Sequence, residues 1–408
     1  MSDLRKVARE IFHEALAACS LEHAFAAKVR AQSHDVLALE GGREIDLSGI
    51  RRVIVIAMGK GATTMLRGLL AYKEVWHGRE VGGVLIAPQP PEEMPENFVY
   101  FAGGHPLPNA ASMESARTVL KLLHETSNDG LAAETFCFFL ISGGASAMME
   151  LPQDESITLD DLIGLNRALV HSGASITEIN CIRKHFSAVK GGRLALAAES
   201  LPTMTFAVSD VPAGQLDVLA SGPTLPDTST VEECRELIER YDLLPQFPER
   251  VREFFTSGRL VESPKEEDVE TRIYPLLSSD DLALAAKRGA EARGLTAVID
   301  NSCDDWECTR AADYLLDHAR KLKREHERLC LITAGEVTVK LPAGAGAGAG
   351  GRNSHFALYS ALTMGEDDGF TVLSAGSDGI DGNSPAAGAV VDRTTVAESR
   401  DEAIAALE

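Results

Sequence analysis

Apolar runs alternate with amphipathic segments along the N-terminal half of the chain. The runs are strand-sized and rich in β-branched and aromatic residues, which is typical of strands buried on both faces of a parallel sheet. They cover residues 51–58, 81–87, 136–141 and 205–208. Before and between them, apolar residues at helical spacing predict helices, the first over residues 4–30. This alternation predicts an open α/β sheet with helices on both of its faces.

The pattern changes near residues 225–275, where prolines interrupt short acidic helical segments. The alternation of strands and helices then resumes with a strand predicted over 271–277. A further strand predicted over 336–340 leads into a glycine-rich tract. We therefore predict two domains, the first over 1–235 and a smaller α/β domain over 265–408.

The composition restricts the classes of protein to which this chain can belong. Its 408 residues, 45% of them hydrophobic and 25% charged, are typical of a soluble globular protein of two or three domains. With 39 Lys and Arg against 61 Asp and Glu, the formal net charge is -22, which disfavours nucleic acid and membranes as partners. Seven scattered cysteines and an N-terminus that is amphipathic rather than signal-like predict reduced thiols and a cytoplasmic location.

Three glycine-rich turns each precede the start of a predicted helix. Helix N-termini carry unpaired N–H groups and a partial positive charge, and glycines let an anion approach them closely. One such turn says little, but three in one chain predict a phosphorylated or carboxylated ligand. The candidate residues in these turns are Gly59 and Lys60, then Ser142, Gly143, Gly144 and Ser146, and finally Arg352 and Asn353.

The first of these turns also resembles part of a dinucleotide-binding fingerprint. It reads Gly-x-Gly-x-x-Thr over 59–64, so that Thr64 replaces the third glycine, which normally permits close packing of helix on strand. A nicotinamide-dependent reductase is therefore an alternative, and so is a solvent-exposed turn in which Lys60 has no ligand. The spacing of a P-loop does not occur in the sequence.

A local excess of positive charge interrupts this acidic chain. Residues 179–198 contain no Asp or Glu but two lysines and two arginines. Such a basic island would attract an anionic substrate, although a solvated helix face is the alternative for each side chain. The candidate substrate-binding residues here are Asn180, Arg183 and Lys190.

Three carboxylates lie after or within predicted strands and beside glycines, namely Asp210, Glu336 and Asp378. Mg²⁺ takes only one or two protein carboxylates and keeps several waters, so these acids are the candidate metal ligands. Ordinary turn chemistry is the alternative, because Asp beside Gly is a common turn signal. His105, in a proline-containing loop, either contacts substrate or is structural. Serine-hydrolase, zinc-protease and CxxC motifs are absent from the sequence.

Several motifs, taken in order along the chain, resemble one family. The chain is similar to the class II glycerate kinases, two-domain enzymes with a MOFRL-type C-terminal domain that are also labelled hydroxypyruvate reductases. No single motif is specific for this family, but the order of all the motifs along nearly the whole chain is specific for it. The segments that carry the resemblance are 58–60, 104–108, 140–147, 172–185, 190–195, 220–224, 334–338, 351–353 and 376–382.

The resemblance implies an N-terminal Rossmann-like three-layer sandwich with a mostly parallel sheet, followed by the smaller α/β MOFRL domain. It implies ATP-dependent phosphorylation of D-glycerate to 2-phosphoglycerate, with Mg²⁺, in a cleft between the domains. Lys60 and Arg352 match the proposed catalytic pair. D-glycerate and ATP are the expected partners, a homo-oligomer is compatible with the sequence, and the family's closing segment is expected to be missing after Glu408. The alternatives are an NAD(P)H-dependent hydroxypyruvate reductase and a non-catalytic anion-binding protein.

Overall fold

The chain divides into two compact units in the computed structural model, which describes residues 4–209, 219–339 and 349–407. The larger unit is Leu21–Ser278, and the smaller unit joins Met1–Ser20 to Ser279–Glu408. In the described residues the strands are β1 (Val29–Ser33), β2 (Val36–Leu39), β3 (Glu44–Asp46), β4 (Arg52–Met58), β5 (Glu80–Ala87), β6 (Phe98–Ala102), β7 (Thr135–Ile141), β8 (Thr203–Val208), β9 (Ile273–Leu277), β10 (Thr296–Ile299), β11 (Leu329–Ile332), β12 (Val372–Ala375) and β13 (Gly388–Val391).

The helices connect these strands and cover their faces. In the same described ranges they are α1 (Leu4–Ala18), α2 (Leu21–Lys28), α3 (Ala62–Leu70), α4 (Lys73–Trp76), α5 (Ala110–Asn128), α6 (Ala145–Met148), α7 (Leu159–His171), α8 (Ile176–Phe186), α9 (Arg193–Ala197), α10 (Val231–Arg240), α11 (Glu249–Thr256), α12 (Ser279–Ala292), α13 (Cys308–Lys323), α14 (Arg352–Thr363) and α15 (Arg400–Ala405).

Six strands of the larger unit form one parallel sheet in the order β6-β5-β4-β7-β8-β9. Successive residues of β4 are buried on opposite faces of this sheet. Val53 and Val55 pack in a cluster with residues of α2 and α3, whereas Ile54 and Ile56 pack in a second cluster with residues of α5. Burial on both faces explains the uninterrupted apolar runs. The predicted three-layer α/β fold with a parallel sheet is confirmed.

The two central strands end at the same level of the sheet. Met58 of β4 pairs with Ile141 of β7 on one side and with Ile86 of β5 on the other. Gly59 and Ser142 therefore leave the sheet side by side at its carboxyl edge, which is where open α/β sheets bind their ligands. The register thus brings two of the predicted glycine turns together.

A helical layer beside the sheet has its own apolar cluster, to which α7, α8, α10 and α11 contribute. Ile182 and Phe186 anchor α8 in this cluster. The helix that carries Asn180 and Arg183 is therefore fixed by packing, independently of any ligand.

The smaller unit contains two short strand pairs, β10 parallel to β11 and β12 antiparallel to β13. The N-terminal helix α1 belongs to this unit because it packs on α12, where Ile11 shares a cluster with Ala290. Two half-exposed ion pairs also attach α1 to this unit. Arg293 pairs with Glu14 at 2.6 Å, and Arg5 pairs with Asp392 at 2.6 Å.

The structure differs from the sequence expectations at the boundaries of the two units. The single helix predicted over 4–30 was wrong, because the chain breaks at Cys19 and Ser20 into two helices that pack in different units. The strand predicted over 271–277 exists as β9, but it completes the sheet of the larger unit because its Leu276 side chain is fully buried in that core. The compact units therefore divide at Ser20 and Ser278 rather than between residues 235 and 265.

The strand predicted over 336–340 was wrong in its described part, up to residue 339. Thr338 forms only an isolated bridge with Glu307, because the backbone around Glu336 instead bonds to Asp304 and Asp305 in the preceding loop. Most of the glycine-rich tract lies outside the described residues. Among the described residues, no helix combines the length and the apolar character that crossing a membrane needs.

Candidate active site

The turns after β4 and β7 interlock through their backbones. Lys60 N–H donates to the Gly143 carbonyl at 2.9 Å, and Gly61 N–H donates to Ser142 Oγ at 2.9 Å. Gly59 is buried with φ of +112°, and a Cβ placed on it would lie 2.4 Å from the Ser142 carbonyl oxygen. Only glycine meets both the left-handed backbone and the close approach, so the sequence fixes Lys60 at the strand end.

Gly144 makes room for two side chains that come from different parts of the larger unit. Its φ is +83°, and a Cβ there would lie 3.0 Å from Cδ2 of His105 and 3.3 Å from Cγ of Lys60. Lys60 and His105 both reach solvent, although the His105 ring is partly buried against the pocket wall. Burial and the positive charge of Lys60 both hold the pKa of His105 below its ordinary value. The two groups therefore face the same space at the carboxyl edge of the sheet.

A pocket of about 230 Å³ opens beside this turn. It lies entirely within the larger unit, and its volume suits a small organic acid better than a macromolecule. Its lining includes His105, Gly144, Ser146, Glu150 and Arg183.

Lys190 is not a surface cation but the centre of a buried network. Its side chain pairs with that of Glu150, and its Nζ also donates to the Ser146 carbonyl at 2.8 Å. Ser187 Oγ donates to the other oxygen of Glu150 at 2.6 Å. Burial lowers the pKa of Lys190, and the charge of Glu150 opposes that shift. The pair thus holds the Ser146 turn in place from beneath.

Arg183 is the member of the basic island that the structure leaves available at the pocket. Lys184 is buried and donates to Asp227 at 3.2 Å, whereas the Nε of Arg183 is buried and has no hydrogen-bond partner among the described residues. Burial lowers the pKa of Arg183, against the nearby charge of Glu150, but a guanidinium stays charged in proteins. The Nε–H group of Arg183 is therefore a hydrogen-bond donor that a ligand in the pocket could satisfy.

Asn180 and Ser146 are joined through a residue that was not predicted, Ser221. Ser221 Oγ donates to Asn180 Oδ1 at 3.0 Å and lies 3.2 Å from Ser146 Oγ. Ser221 has a φ of +58° and follows Ala220, which has a φ of +52°. Left-handed backbone in two successive non-glycine residues is strained, and such strain clusters at functional sites. In the sequence, Ser221 is marked only by the Ala-Ser-Gly-Pro motif at 220–223, which is one of the segments that carry the family resemblance.

Arg352 is the first residue of α14 in the smaller unit. Its two terminal nitrogens each donate to one oxygen of Glu336 at 2.6 Å, which is the bidentate geometry that Arg forms with carboxylates. Both side chains are about half exposed. This pair uses two of the five N–H donors of the guanidinium, so the remaining donors can contact an anion.

The carboxylate of Asp381 organises the start of α14. It accepts hydrogen bonds from the backbone N–H of Asn353 at 2.9 Å and of Ser354 at 2.8 Å, and from the side chains of both residues. Burial would raise the pKa of Asp381, but these hydrogen bonds outweigh it and hold the pKa below its ordinary value. Gly351 is required here, since a Cβ on it would lie 2.5 Å from the Asp381 carboxylate.

Asn353 is consequently held on both ends of its amide. Its Nδ2 donates to Asp381 at 3.2 Å, and its Oδ1 accepts from Ser374 at 2.8 Å. The side chain predicted to bind substrate therefore supports the helix start next to Arg352.

The structure describes two of the three candidate metal ligands, Glu336 and Asp378. Glu336 is engaged by Arg352, and the exposed Asp378 accepts from the backbone N–H of Ile380 at 3.1 Å. Asp210 lies outside the described residues. Among the residues described, no group of three His, Cys, Asp or Glu side chains has the geometry to hold a metal ion.

The predicted site residues are distributed over both units. The larger unit brings together Gly59, Lys60, Ser142, Gly143, Gly144, Ser146, Asn180, Arg183 and Lys190 around the carboxyl edge of its sheet. The smaller unit brings together Arg352, Asn353 and Glu336, and it also carries Asp378.

Comparisons with known proteins match both parts of the chain. The DUF4147 family, described as a domain of unknown function, matches residues 7–256, and the MOFRL family matches residues 329–408. The D-glycerate 2-kinase of Thermotoga maritima is 35% identical over 351 residues, which are 84% of this chain and 79% of the relative. The glycerate 2-kinase of Pyrococcus horikoshii is 31% identical over 409 residues, 98% of this chain and 89% of the relative.

A solved structure is similar over the whole chain. The crystal structure of glycerate kinase from Thermotoga maritima superposes with a TM-score of 0.78 at 29% identity, and the match covers 100% of this chain and 92% of that one.

Proposed function

We propose, from the premise that the chain belongs to the glycerate kinase family with DUF4147 and MOFRL domains, that it transfers a phosphoryl group from ATP to the 2-hydroxyl of D-glycerate. The observation that carries this proposal is the pocket beside Gly144, at whose edge Lys60 and Arg183 place positive charge within a strongly acidic chain. A small acid with a carboxylate and hydroxyl groups matches that pocket in size and charge.

Arg183 is the residue that we assign to the glycerate carboxylate. Its Nε lies at the pocket without a hydrogen-bond partner in the described chain, and a planar guanidinium binds a carboxylate through two parallel hydrogen bonds. Asn180 and Ser146, linked through Ser221, supply polar groups for the substrate hydroxyls. Lys190 is assigned a supporting role instead of a contact, because its ammonium is committed to Glu150 and Ser146.

We assign Lys60 and Arg352 to contacts with the phosphoryl group during its transfer. Phosphoryl transfer needs little covalent help from the protein and depends on positioning and on stabilisation of charge. Both side chains are exposed and both lie at tightly fixed backbone positions, Lys60 in a glycine turn and Arg352 at a helix start. Lys60 belongs to the larger unit and Arg352 to the smaller one. The proposal therefore includes the reaction between the domains that the family resemblance implies.

Mg²⁺ is expected with ATP, and the described acids differ in how well they would fit it. Glu336 fits poorly because both of its oxygens accept from Arg352, whereas Asp378 is an exposed carboxylate in a glycine loop. A magnesium ion bound to nucleotide phosphates needs only one or two such carboxylates. Asp378 is thus the residue that would hold it, and the ion would offset the charge of the phosphates.

The test is an assay of the purified protein with D-glycerate, ATP and Mg²⁺, coupled to enolase without a mutase. Enolase accepts 2-phosphoglycerate, so a signal supports both the activity and the position of the new phosphate. Release of ADP without an enolase signal would contradict the 2-position, and absence of ADP would contradict the kinase. Oxidation of NADH by hydroxypyruvate in the same sample would instead favour the reductase.

A further inference from the structure

His105 stands at the mouth of the pocket on a loop that the structure holds firmly. Gly104 N–H donates to Ser112 Oγ at 3.0 Å, and the Asn109 side chain donates to the Ala102 carbonyl at 2.9 Å while capping α5. A Cβ on Gly103 would lie 2.5 Å from the Met148 carbonyl oxygen, so this loop packs directly on the Ser142–Met148 turn. The backbone that carries His105 is therefore held next to the turn that carries Ser146.

The charged groups that face this part of the pocket are Lys60 from the turn after β4, Glu150 after α6 and Arg183 from α8. A guanidinium cannot accept a proton at any physiological pH. Glu150 already accepts hydrogen bonds on both oxygens, from Lys190 and from Ser187. A lysine has no lone pair while it is charged. Of the ionisable groups described around the pocket, His105 is thus the one suited to accept a proton from a substrate.

We propose that His105 is the general base of the reaction, which is an inference that rests on the proposed function. The hydroxyl oxygen of glycerate forms a new bond to the γ-phosphorus of ATP, while the bond from that phosphorus to the β,γ-bridging oxygen breaks and ADP leaves. The hydroxyl proton passes to a ring nitrogen of His105 and from there to water. Atoms and charge balance, and no further reactant is required.

The environment of His105 suits this role near neutral pH. Burial and the charge of Lys60 lower its pKa, so the ring is neutral at pH 7 and ready to accept. In the free enzyme, kcat/KM should then fall as the pH drops through the pKa of His105. That acid limb should lie below about 6.5, the ordinary value for histidine.

The test compares His105→Gln with His124→Gln. Glutamine keeps the size and a hydrogen-bonding end but cannot take the proton, and His124 is exposed on α5, away from the pocket-lining residues. For His105→Gln we expect kcat/KM to fall by about 100-fold and the acid limb to disappear, with an unchanged melting temperature. His124→Gln should match the wild type in rate and in pH profile.

A second readout does not depend on turnover. The His105 ring signal, identified as the one missing from the NMR spectrum of His105→Gln, should titrate at the same pKa as the acid limb. In Lys60→Met that pKa should rise, because a positive neighbour has been removed. A titration that does not coincide with the acid limb, or a rate within threefold of wild type with the limb retained, overturns the inference and leaves the kinase standing.

Two further outcomes are decisive. If Glu150→Gln loses the acid limb while His105→Gln keeps it, the base is Glu150 and the inference is wrong. If the wild-type protein forms no ADP from D-glycerate and ATP, the proposed function and the inference fall together.

Discussion

The two parts of the candidate site are built in different ways. In the larger unit the backbone of the site continues from two fully paired strands, and a buried ion pair, Lys190 with Glu150, supports it from beneath. In the smaller unit the strands are short, and the start of α14 is fixed by one buried carboxylate, Asp381. Each part nevertheless combines a buried charge, which supports the backbone of the site, with an exposed charge, which faces solvent.

The difference teaches which charges can meet a substrate. Lys190 and Asp381 are almost inaccessible, at 1% relative exposure each, and their hydrogen-bonding capacity is used inside the protein. Lys60 and Arg352 are exposed and stand next to backbone that those buried charges hold. Substitution of a buried charge should therefore lower the stability of the fold. Substitution of an exposed charge should instead lower the rate of turnover.

The largest expected effect is on the stability of the larger unit. Lys190→Met leaves Glu150 buried without its partner, which should cost about 3–5 kcal/mol in the free energy of unfolding. The double variant Lys190→Met/Glu150→Met should recover part of that loss, since neither member of the pair is then left buried alone, although Arg183 loses the nearby charge of Glu150. Urea denaturation measures both, with Lys121→Met, an exposed lysine on α5, as the control. A single variant as stable as wild type would show that the pair does not support the turn.

The second-largest effect is expected on turnover, from removal of the exposed charges, and the stability of the fold should not change. Lys60→Met and Arg352→Met should each lower kcat by about 100-fold, or about 3 kcal/mol in transition-state stabilisation. Their melting temperatures should stay close to wild type. Lys121→Met and Arg288→Met are matched controls, because both residues are exposed and belong to helices, α5 and α12, that carry no candidate site residue. Near-full turnover in either site variant would remove that residue from the catalytic pair.

A smaller effect is expected at the helix start in the smaller unit. Asp381→Ala removes the acceptor of the first N–H groups of α14 and should cost about 2 kcal/mol of stability, together with a loss of kcat from misplacement of Arg352. Asp381→Asn keeps one acceptor oxygen and should recover part of both. Asp378→Ala, in the same loop, should leave stability within about 0.5 kcal/mol. If it instead destabilises as much as Asp381→Ala, the loop as a whole is the support.

The smallest effect concerns the attachment of α1. Arg5→Ala should cost about 0.5–1 kcal/mol, because the ion pair with Asp392 is half-exposed, and Lys6→Ala on the same helix should cost less. The Arg5 side chain, which hydrogen-bonds the carboxylate, holds the pKa of Asp392 well below its usual range.

A group with a lowered pKa stabilises the fold above its unfolded pKa, about 3.9 for Asp, and loses that contribution as the pH falls through the folded pKa. The stability difference between wild type and Arg5→Ala should thus be constant from pH 7 to about 5 and shrink at lower pH. Urea titrations at several pH values check this, and a difference that grows towards acid pH would contradict the assignment.

The fold and the position of the site follow from local signals. The apolar runs identify strands buried on both faces, and the glycine at position 59 identifies the turn that places Lys60 at the carboxyl edge. What local signals do not contain is the identity of partners that are distant in sequence. Lys190 and Arg183 look alike in the basic island, and only the tertiary position of Glu150 separates the buried support from the available cation.

The same limit applies to the acids of the smaller unit. Asp378 and Asp381 both stand in glycine-rich surroundings and both fit a turn. The structure shows that Asp381 reaches back to cap a helix that precedes it in the chain, whereas Asp378 stays exposed. The sequence likewise did not identify Ser221 as a site residue. Its place in the site depends on a strained backbone and on two hydrogen-bond partners, Ser146 and Asn180, from other segments.

The position of α1 has a consequence for biosynthesis. This helix packs on α12 in the smaller unit, yet the whole larger unit, Leu21–Ser278, is translated between the two. The larger unit has all its strands as soon as β9 has left the ribosome and can fold then, since domains generally fold as units during synthesis. The amphipathic α1 must wait with its apolar stripe uncovered until α12 emerges, so nascent chains stalled before α12 should be the ones that recruit chaperones through their N-terminus.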